Sequence, residues 1–421
     1  MAEHKVVNAD QLDADLTSVA DSIRTKAGTS DKLAFPAGMK EAVDNLSTFV
    51  PPSSMALDPD EVYRTTRPKD WLPMPTPGDD EVYLLNLIPE GVDGAFTALI
   101  RCTGTCTVEF GNLVDGVFVA KETVTPTNGT RFYKTVLWDD YGDTTSDGYR
   151  QYLVRIKGAC TGVTLNPDNN TTYAHGVPML VDVISGMVTD LMFSINDTVR
   201  YCCDSLRYVR IVGNGNLVYG GTLFRGCERL MSVSLANKCT TIKYANYMFN
   251  RCRSLIAVSE NLFASPVPCN YIFGSAVFRA LPRIKITATN AQGAFEACNS
   301  MQILEGNYFD TSRCTTLRDL FYNTNVRIIK DLNISSATDI TSAIFNSHIC
   351  QITFAGETTP GGFSIDLTNS ILSHKALVNM INSLPTALSP ATITITNNPG
   401  ASALTDEEIA VATARNWTVT I

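Results

Sequence analysis

The sequence predicts a multidomain chain. An N-terminal α-helical hairpin leads into an antiparallel β-sandwich or jelly-roll-like domain, and a C-terminal repeat solenoid follows, closed by an α/β cap. Three observations carry this reading. The phrase apolar-Phe-x-x-Cys-x-x-Leu recurs in six copies between Leu223 and Gln351. Ahead of it lies a series of short β-branched and aromatic runs separated by turn residues. At the N-terminus, two amphipathic stripes precede a proline-rich stretch.

Residues 1–50 read as the helical hairpin. Leu12, Leu16, Val19, Ala20 and Ile23 recur at helical spacing and form one apolar stripe. Asn8 or Asp10 caps its start, and Gly28 sits where its C-terminus falls. Pro36 suits the first turn of a second helix, whose stripe is Met39, Ala42, Val43 and Leu46. Two short amphipathic helices bury little area alone. They read as a docking module for another subunit, with Leu12, Leu16, Val19, Ile23, Met39, Val43 and Leu46 as the docking residues. A small cap on the chain's own body is the plainer alternative. Residues 51–80, with "VPPSSM" and "RPKDWLPMPTPGDD", read as a proline-stiffened linker.

Residues 81–179 read as the β domain. Strand-like runs at 82–87, 96–100, 107–110, 117–119, 131–138, 151–156 and 163–165 are punctuated by Gly, Asn and Asp. The turn "WDDYGDTTSDG" brings Asp139, Asp140, Asp143 and Asp147 close in sequence. A Ca²⁺ ion takes six to eight oxygens. The spacing misses the EF-hand pattern and lacks its closing Glu, so a solvated acidic turn is the better reading.

Residues 180–360 read as the solenoid. The copies are "LFRGCERL", "MFNRCRSL", "IFGSAVFR", "AFEACNSM", "LFYNTNVR" and "IFNSHICQ", with Phe224, Phe249, Phe273, Phe295, Phe321 and Phe345 in register. The steps between these Phe are 25, 24, 22, 26 and 24 residues, and "RYCCDSL" is a fainter copy one step earlier. A period of 20–29 residues with one short strand per unit is the signature of a leucine-rich-repeat-like solenoid. The strands follow the Cys: "LMSVSL", "LIAVSE", "RIKIT", "MQILEG", "VRIIK" and "CQITF". One unit cannot bury its apolar face alone, so the phrase recurs and each unit covers the last. The Phe and the apolar residue before it then fill the interior. Cys227, Cys252 and Cys298 read as core thiols rather than nucleophiles, and His348 falls on the Cys column of the last copy. Ser232, Ser234, Lys285, Thr287, Arg327 and Lys330 are the expected outward strand positions, and they are the candidate binding residues.

Residues 361–421 break the period and suit a terminal cap. Ser373 caps a helix with Leu377, Val378, Ile381 and Leu384 inward. Thr405 and Glu408 form a capping box, and "ATITIT" and "WTVTI" read as strands.

Composition excludes several classes. The 421 residues are 44% hydrophobic and 18% charged, a balance that argues against wholesale disorder. A net charge of −9 repels phosphate backbones, so nucleic acid is not an expected partner. No apolar run approaches a membrane span, and the polar N-terminus is not a signal peptide. The twelve cysteines therefore point to reduced thiols in a cytosol. Cys102 and Cys106 in "CTGTC" have no matching second pair, and there are four His, so no metal is expected. There is no G-x-S-x-G, Walker A, H-E-x-x-H or Rossmann fingerprint. No catalytic residue, cofactor or enzymatic activity is expected. A pair of acids for glycoside hydrolysis is a spatial feature that spacing alone does not reveal.

"LDADLTSVADSIRTKAGTSDKLAFPAGMKEAV" resembles an N-terminal module of bacteriophage and prophage virion proteins from Gram-positive and gut bacteria. The repeats resemble BspA-like leucine-rich repeats, with the phage-type ending "LSHKALVNMINSLP…LTDEEIAVATARNWTV". "RPKDWLPMPTPGDDEVYLLNLIP" is similar to the middle of such proteins. Ala276 and Thr324 depart from the repeat by replacing its Cys. The resemblance implies a tail fibre, receptor-binding or baseplate component, assembled in the bacterial cytoplasm and carried on the virion. Its partners would be other virion proteins and a host-surface glycan or protein, and such fibres are homo-oligomers, often trimers. Two alternatives stay open: a head fibre or capsid decoration protein, and a cell-wall glycan depolymerase.

Overall fold

Two glycines let the two longest strands serve two sets of partners. The computed structural model describes residues 58–88, 96–165, 179–192, 205–213, 216–217, 221–236, 242–277 and 284–421. The expected helical hairpin and its docking residues lie outside them. Strands β1 (Glu81–Ile88), β2 (Phe96–Val114), β3 (Val117–Val124), β4 (Arg131–Val136) and β5 (Arg150–Leu165) are antiparallel, as expected. β2 pairs with β4 through residues 96–101 and with β3 through 108–114, and β5 runs beside it across both parts. Gly104 (φ +96°) sits at a register shift between β2 and β5, and Gly158 (φ +115°) follows the last β5 residue paired with β1. A Cβ on Gly104 would lie 2.2 Å from the Ala159 carbonyl oxygen, so no other residue fits there.

The sheet does not stop at the β domain. β6 (Met179–Ser185) pairs antiparallel with β1, and β8 (Tyr208–Ile211) then adds to β6 in parallel. β10 (Ser232–Leu235) and β11 (Ala257–Val258) continue the parallel series. β7 (Val188–Met192) is parallel to the end of β5, and β9 (Asn216–Leu217) is parallel to β7. The order is β11-β10-β8-β6-β1-β5-β2-β3, with β4, β7 and β9 attached. The result is a mixed sheet. An edge strand offers a row of unpaired N–H and C=O groups, and the edge of β6 is the template for the first parallel strand of the solenoid.

Residues 58–80, expected as a linker, include a helix and pack against the sheet. Helix α1 (Pro59–Thr66) starts at Asp58, whose carboxylate accepts from the Asp60 and Glu61 amides. Its Val62 and the following Trp71 are buried. Trp71 packs with Leu85, Leu87, Leu153, Val181 and Tyr208 on the outer face of the sheet. Arg67 Nε lies 2.7 Å from Oδ2 of the fully buried Asp182, and Tyr63 donates to the same oxygen at 3.1 Å. The composition signalled proline, but three aromatic or cationic side chains in this stretch meet partners on the sheet.

The rest of the chain is a β-solenoid, so the protein is mostly β with few helices. β12 (Val267–Pro268), β13 (Ile286–Asn290) and β15 (Phe309–Asp310) form one parallel set. β14 (Ile303–Glu305), β16 (Ile328–Asn333) and β17 (Gln351–Ala355) form another. The expected strand "RIKIT" therefore joins β12 and β15 instead of continuing the β10–β11 face.

The interior holds a ladder of rings. Phe224, Phe249, Phe273, Phe295 and Phe321 are fully buried and stack in sequence at 5.5, 5.6, 5.6 and 5.6 Å between centroids. The sixth position is Ile344, not Phe345. Ile344 is buried and Phe345 is 53% exposed. The backbone fixes this frame. In each turn the residues two before and two after the ladder residue have positive φ, as Tyr247 and Arg251 do around Phe249 and Ser342 and Asn346 around Ile344.

The Cys column shifts with it. Cys227, Cys252, Ala276, Cys298, Thr324 and Ser347 occupy it, and His348 is exposed beside it. The thiols of Cys252 and Cys298 donate to the Phe224 and Phe273 carbonyls at 3.1 and 2.9 Å. Where Thr324 and Ser347 replace Cys, the hydroxyls donate to the ladder carbonyl of their own turn, Phe321 and Ile344, at 3.1 and 2.5 Å. Elsewhere the expectation of free thiols meets an exception: Cys106 and Cys160 are joined as a disulfide across β2 and β5.

The cap follows its capping signals. β18 (Thr358–Gly361) pairs with β20 (Thr386–Ser389), and β19 (Ser364–Asp366) pairs with β21 (Ala391–Thr394), which pairs with β22 (Trp417–Thr420). Ser373 caps α2 (His374–Ser383), which buries Ala376, Leu377, Met380 and Ile381, while Val378 is half-buried. Thr405 and Glu408 exchange both capping-box bonds at the start of α3 (Asp406–Thr413). Among the described residues, no helix is long and apolar enough to cross a membrane.

Candidate functional site

The six expected binding residues do not form one surface. Ser232 and Ser234 are buried, because α1 lies across β10, and Ser234 Oγ donates to Asp60 at 2.8 Å. Lys285 is exposed beside β13 and Thr287 is half-buried within it, on a different parallel set from β14 and β16. Arg327 is exposed at the start of β16, and Lys330 is half-buried and paired with Glu305 at 3.3 Å. The acidic turn also disperses. Asp140 accepts from the Leu137 amide, Asp143 accepts from Asn112, and Asp139 is 93% exposed. Among the described residues no three potential metal ligands converge.

The structure instead gathers polar and aromatic side chains along the ridge made by the ladder turns. Each turn has two residues at positive φ around its ladder position; between them two consecutive side chains, such as Leu320 and Phe321, are buried, and the next one, such as Tyr322, is the more exposed in most turns. The outward positions stack from turn to turn. The Arg225 guanidinium lies 4.7 Å from the Tyr247 ring centroid, and Tyr247 stacks on Tyr271 at 5.1 Å. A Cβ on Gly293 would fall 2.3 Å from Tyr271 Cε1, so bare backbone closes the far side of that stack. These two rings are covered on both faces and offer no open platform to a sugar.

Charge changes sign along the ridge. Arg225 and exposed Arg251 lie at the end toward the mixed sheet. Burial, and then Arg251, lower the Arg225 pKa from its ordinary value. Glu296 and Asp319 follow two and three turns on. Burial raises both carboxyls, and their mutual repulsion raises Glu296 further. Asp339 stays below the usual carboxylate range. Burial works against this, but the Thr341 amide and hydroxyl and Arg318 Nε, 3.0 Å away, outweigh it. The far end is aromatic again. Tyr322 stacks on Phe345 at 5.3 Å, and Asn346 donates to Asn323 at 2.9 Å.

Chemically, this ridge can hold an extended molecule by cationic, anionic and aromatic contacts in a fixed order. None of its residues was among the expected binding positions. The signal lay in the repeat phrase itself, at the residues two before and one or two after each ladder position, which mix charged, polar and aromatic types while the interior positions stay small or apolar. Comparison with family models, with curated proteins and with solved structures found no match to this chain.

Proposed function

We propose that the chain is a non-catalytic virion protein of a bacteriophage, attached through residues 1–50 and displaying the mixed sheet and solenoid to a host-surface glycan or protein. The ridge of stacked turns is the observation that carries the binding reading. Successive repeats place Arg251, Glu296, Asp319, Tyr322 and Phe345 along one edge, which suits a long partner better than a small substrate. The phage-type phrases at both ends of the sequence support the virion setting. The period near 24 residues and the parallel rungs support the finer class of a leucine-rich-repeat-like solenoid, and the antiparallel pairing of β2 with β4 at one end and β3 at the other suits a sandwich-like first domain.

The test uses the full chain on a panel of Gram-positive and gut bacteria and their isolated wall polymers. Binding should fall at least tenfold in Arg251→Ser and Phe345→Ser, both exposed, with unchanged melting. Equal binding by both variants would refute the ridge as the receptor surface. Labelling the chain on intact particles separates a tail or baseplate place from a head fibre. One observation favours the depolymerase alternative: Glu296 and Asp319 are adjacent-turn carboxyls that both hold protons more tightly than usual. Release of wall glycan by the native chain, lost in Glu296→Gln, would establish it.

A further inference from the structure

The ladder turns bond to one another through a fixed set of amides. In the turn of Phe249, the N–H groups of Tyr247, Phe249 and Arg251 donate to Asn270, Ile272 and Gly274, each at 2.9 Å. The turns of Phe224, Phe273, Phe295 and Phe321 repeat this pattern, ending with Asp319, Phe321 and Asn323 donating to Thr341, Ala343 and Phe345 at 3.0, 2.7 and 3.2 Å. The next turn breaks it. The equivalent N–H groups, of Ser342, Ile344 and Asn346, have no acceptor among the described residues.

The cause lies in the following segment. Gly361 and Gly362, at φ +69° and +74°, carry the chain away, and β19 pairs only with β21 in the cap. A Cβ on Gly361 would lie 2.0 Å from the Ser389 carbonyl oxygen, so this detour is built for glycine. Between the Ile344 turn and β19 a cleft of about 120 Å³ opens. Ile340, Ile344, Phe354 and Ile365 line it, with exposed Phe345 and Asp366 also at its walls.

We propose that this cleft accepts an extended peptide segment of another protein as one further rung. The five preceding junctions state its chemistry. Each incoming turn offers alternate carbonyls to the waiting amides and, between them, sends an apolar pair such as Met248 and Phe249 into the core. The occupant is therefore a peptide with a large apolar or aromatic anchor and carbonyls on either side, held by strand-like addition. Asp366 beside the cleft favours a basic residue next to the anchor. The cleft meets the end of the ridge at Phe345, but this binding does not depend on the ridge's role toward a host surface.

The probe is the chain's own turn, a synthetic peptide of residues 245–252 with Cys252→Ser, titrated into the full chain. It should bind saturably. The same peptide with Phe249→Ala should bind at least tenfold more weakly. Ser364→Trp, a change at an exposed residue lining the cleft, should weaken the parent peptide by a similar factor. Hydrogen exchange over residues 340–346 should slow when the peptide is bound. The proposal is overturned if the Phe and Ala peptides bind alike, if Ser364→Trp binds as the native chain does, or if protection appears elsewhere. Loss of host-cell binding in Arg251→Ser with peptide binding intact would separate the two surfaces.

Discussion

Phe249 stacks on Phe273 with ring centroids 5.6 Å apart and planes within 7° of parallel. Both rings are fully buried, and each also touches a further ring of the ladder. Truncating such a ring leaves a cavity between rigid turns, so Phe249→Ala or Phe295→Ala should cost about 3–5 kcal/mol. Phe345→Ala should change stability by less than about 0.5 kcal/mol, because its ring is half in water. Denaturant unfolding of the three variants checks both values. A large loss at Phe345 with none at Phe295 would overturn the assigned frame.

That frame shows how far the sequence could be read. The period, most of the Phe column, the Ser373 cap and the Thr405–Glu408 capping box were legible, because they repeat or follow local backbone chemistry. The last copy misled because "IFNS" offers two adjacent apolar residues for one interior position. The deciding feature was φ: Ser342 and Asn346 take the left-handed positions, matching Asp319 and Asn323 one turn earlier. Asn tolerates that region better than most residues, so the repeated Asn two places after the ladder residue was the available clue. The sheet's passage from β6 into β8 left no trace in the sequence, since pairing such as Asp182 with Tyr208 depends on edges that meet only in the fold. For the same reason the outward serines of β10 looked exposed: nothing local says that α1 covers them.

The Arg67–Asp182 pair gives a second prediction. Asp182 has no exposed surface, and removing Arg67 would leave its buried charge with Tyr63 and Arg210 as its remaining favourable partners. Arg67→Ala should therefore destabilise by about 3–5 kcal/mol. Burial raises the Asp182 carboxyl above its ordinary value, while Arg67 and Tyr63 oppose the shift. A raised folded-state pKa means the native chain binds more protons than the unfolded one. This stabilisation is full below the unfolded value and is lost as pH climbs through the folded one. Arg67→Ala moves the carboxyl higher and widens that window. Its deficit should thus be smaller at about pH 5 than at about pH 7. Unfolding titrations at the two pH values test this, and a deficit that grows on acidification would contradict it.

Thiol reactivity offers a third check. Burial pushes Cys298 and Cys314 up to about 12 and Cys102 to about 11. Thiolate is the reactive form, so these cysteines should resist alkylation at neutral pH. Cys227, Cys252 and Cys269 are buried as well, and among the described free thiols Cys350 has the most exposure. Peptide mapping after brief alkylation of the native chain should find Cys350 modified first. All of these thiols should react once denaturant is added. Rapid native labelling of Cys252 or Cys298 would show that the column faces water.

Two truncations distinguish a spacer from a cover at residues 58–80. Residues 56–421 form one compact unit, so a chain starting at Ala56 should fold, melt within a few degrees of the full chain, and fail to join particles if residues 1–50 are the attachment module. A chain starting at Glu81 should behave differently. It loses Trp71, the Arg67 partner of Asp182, and the cover over Leu85, Leu87, Leu153, Val181 and Tyr208. A contiguous apolar patch on a sheet face is an association site in water. This shorter chain should therefore self-associate and unfold at lower denaturant, with light scattering and unfolding curves as the readouts. If it stays monomeric and as stable as the chain from Ala56, residues 58–80 add nothing to the fold and act as the linker their composition suggests.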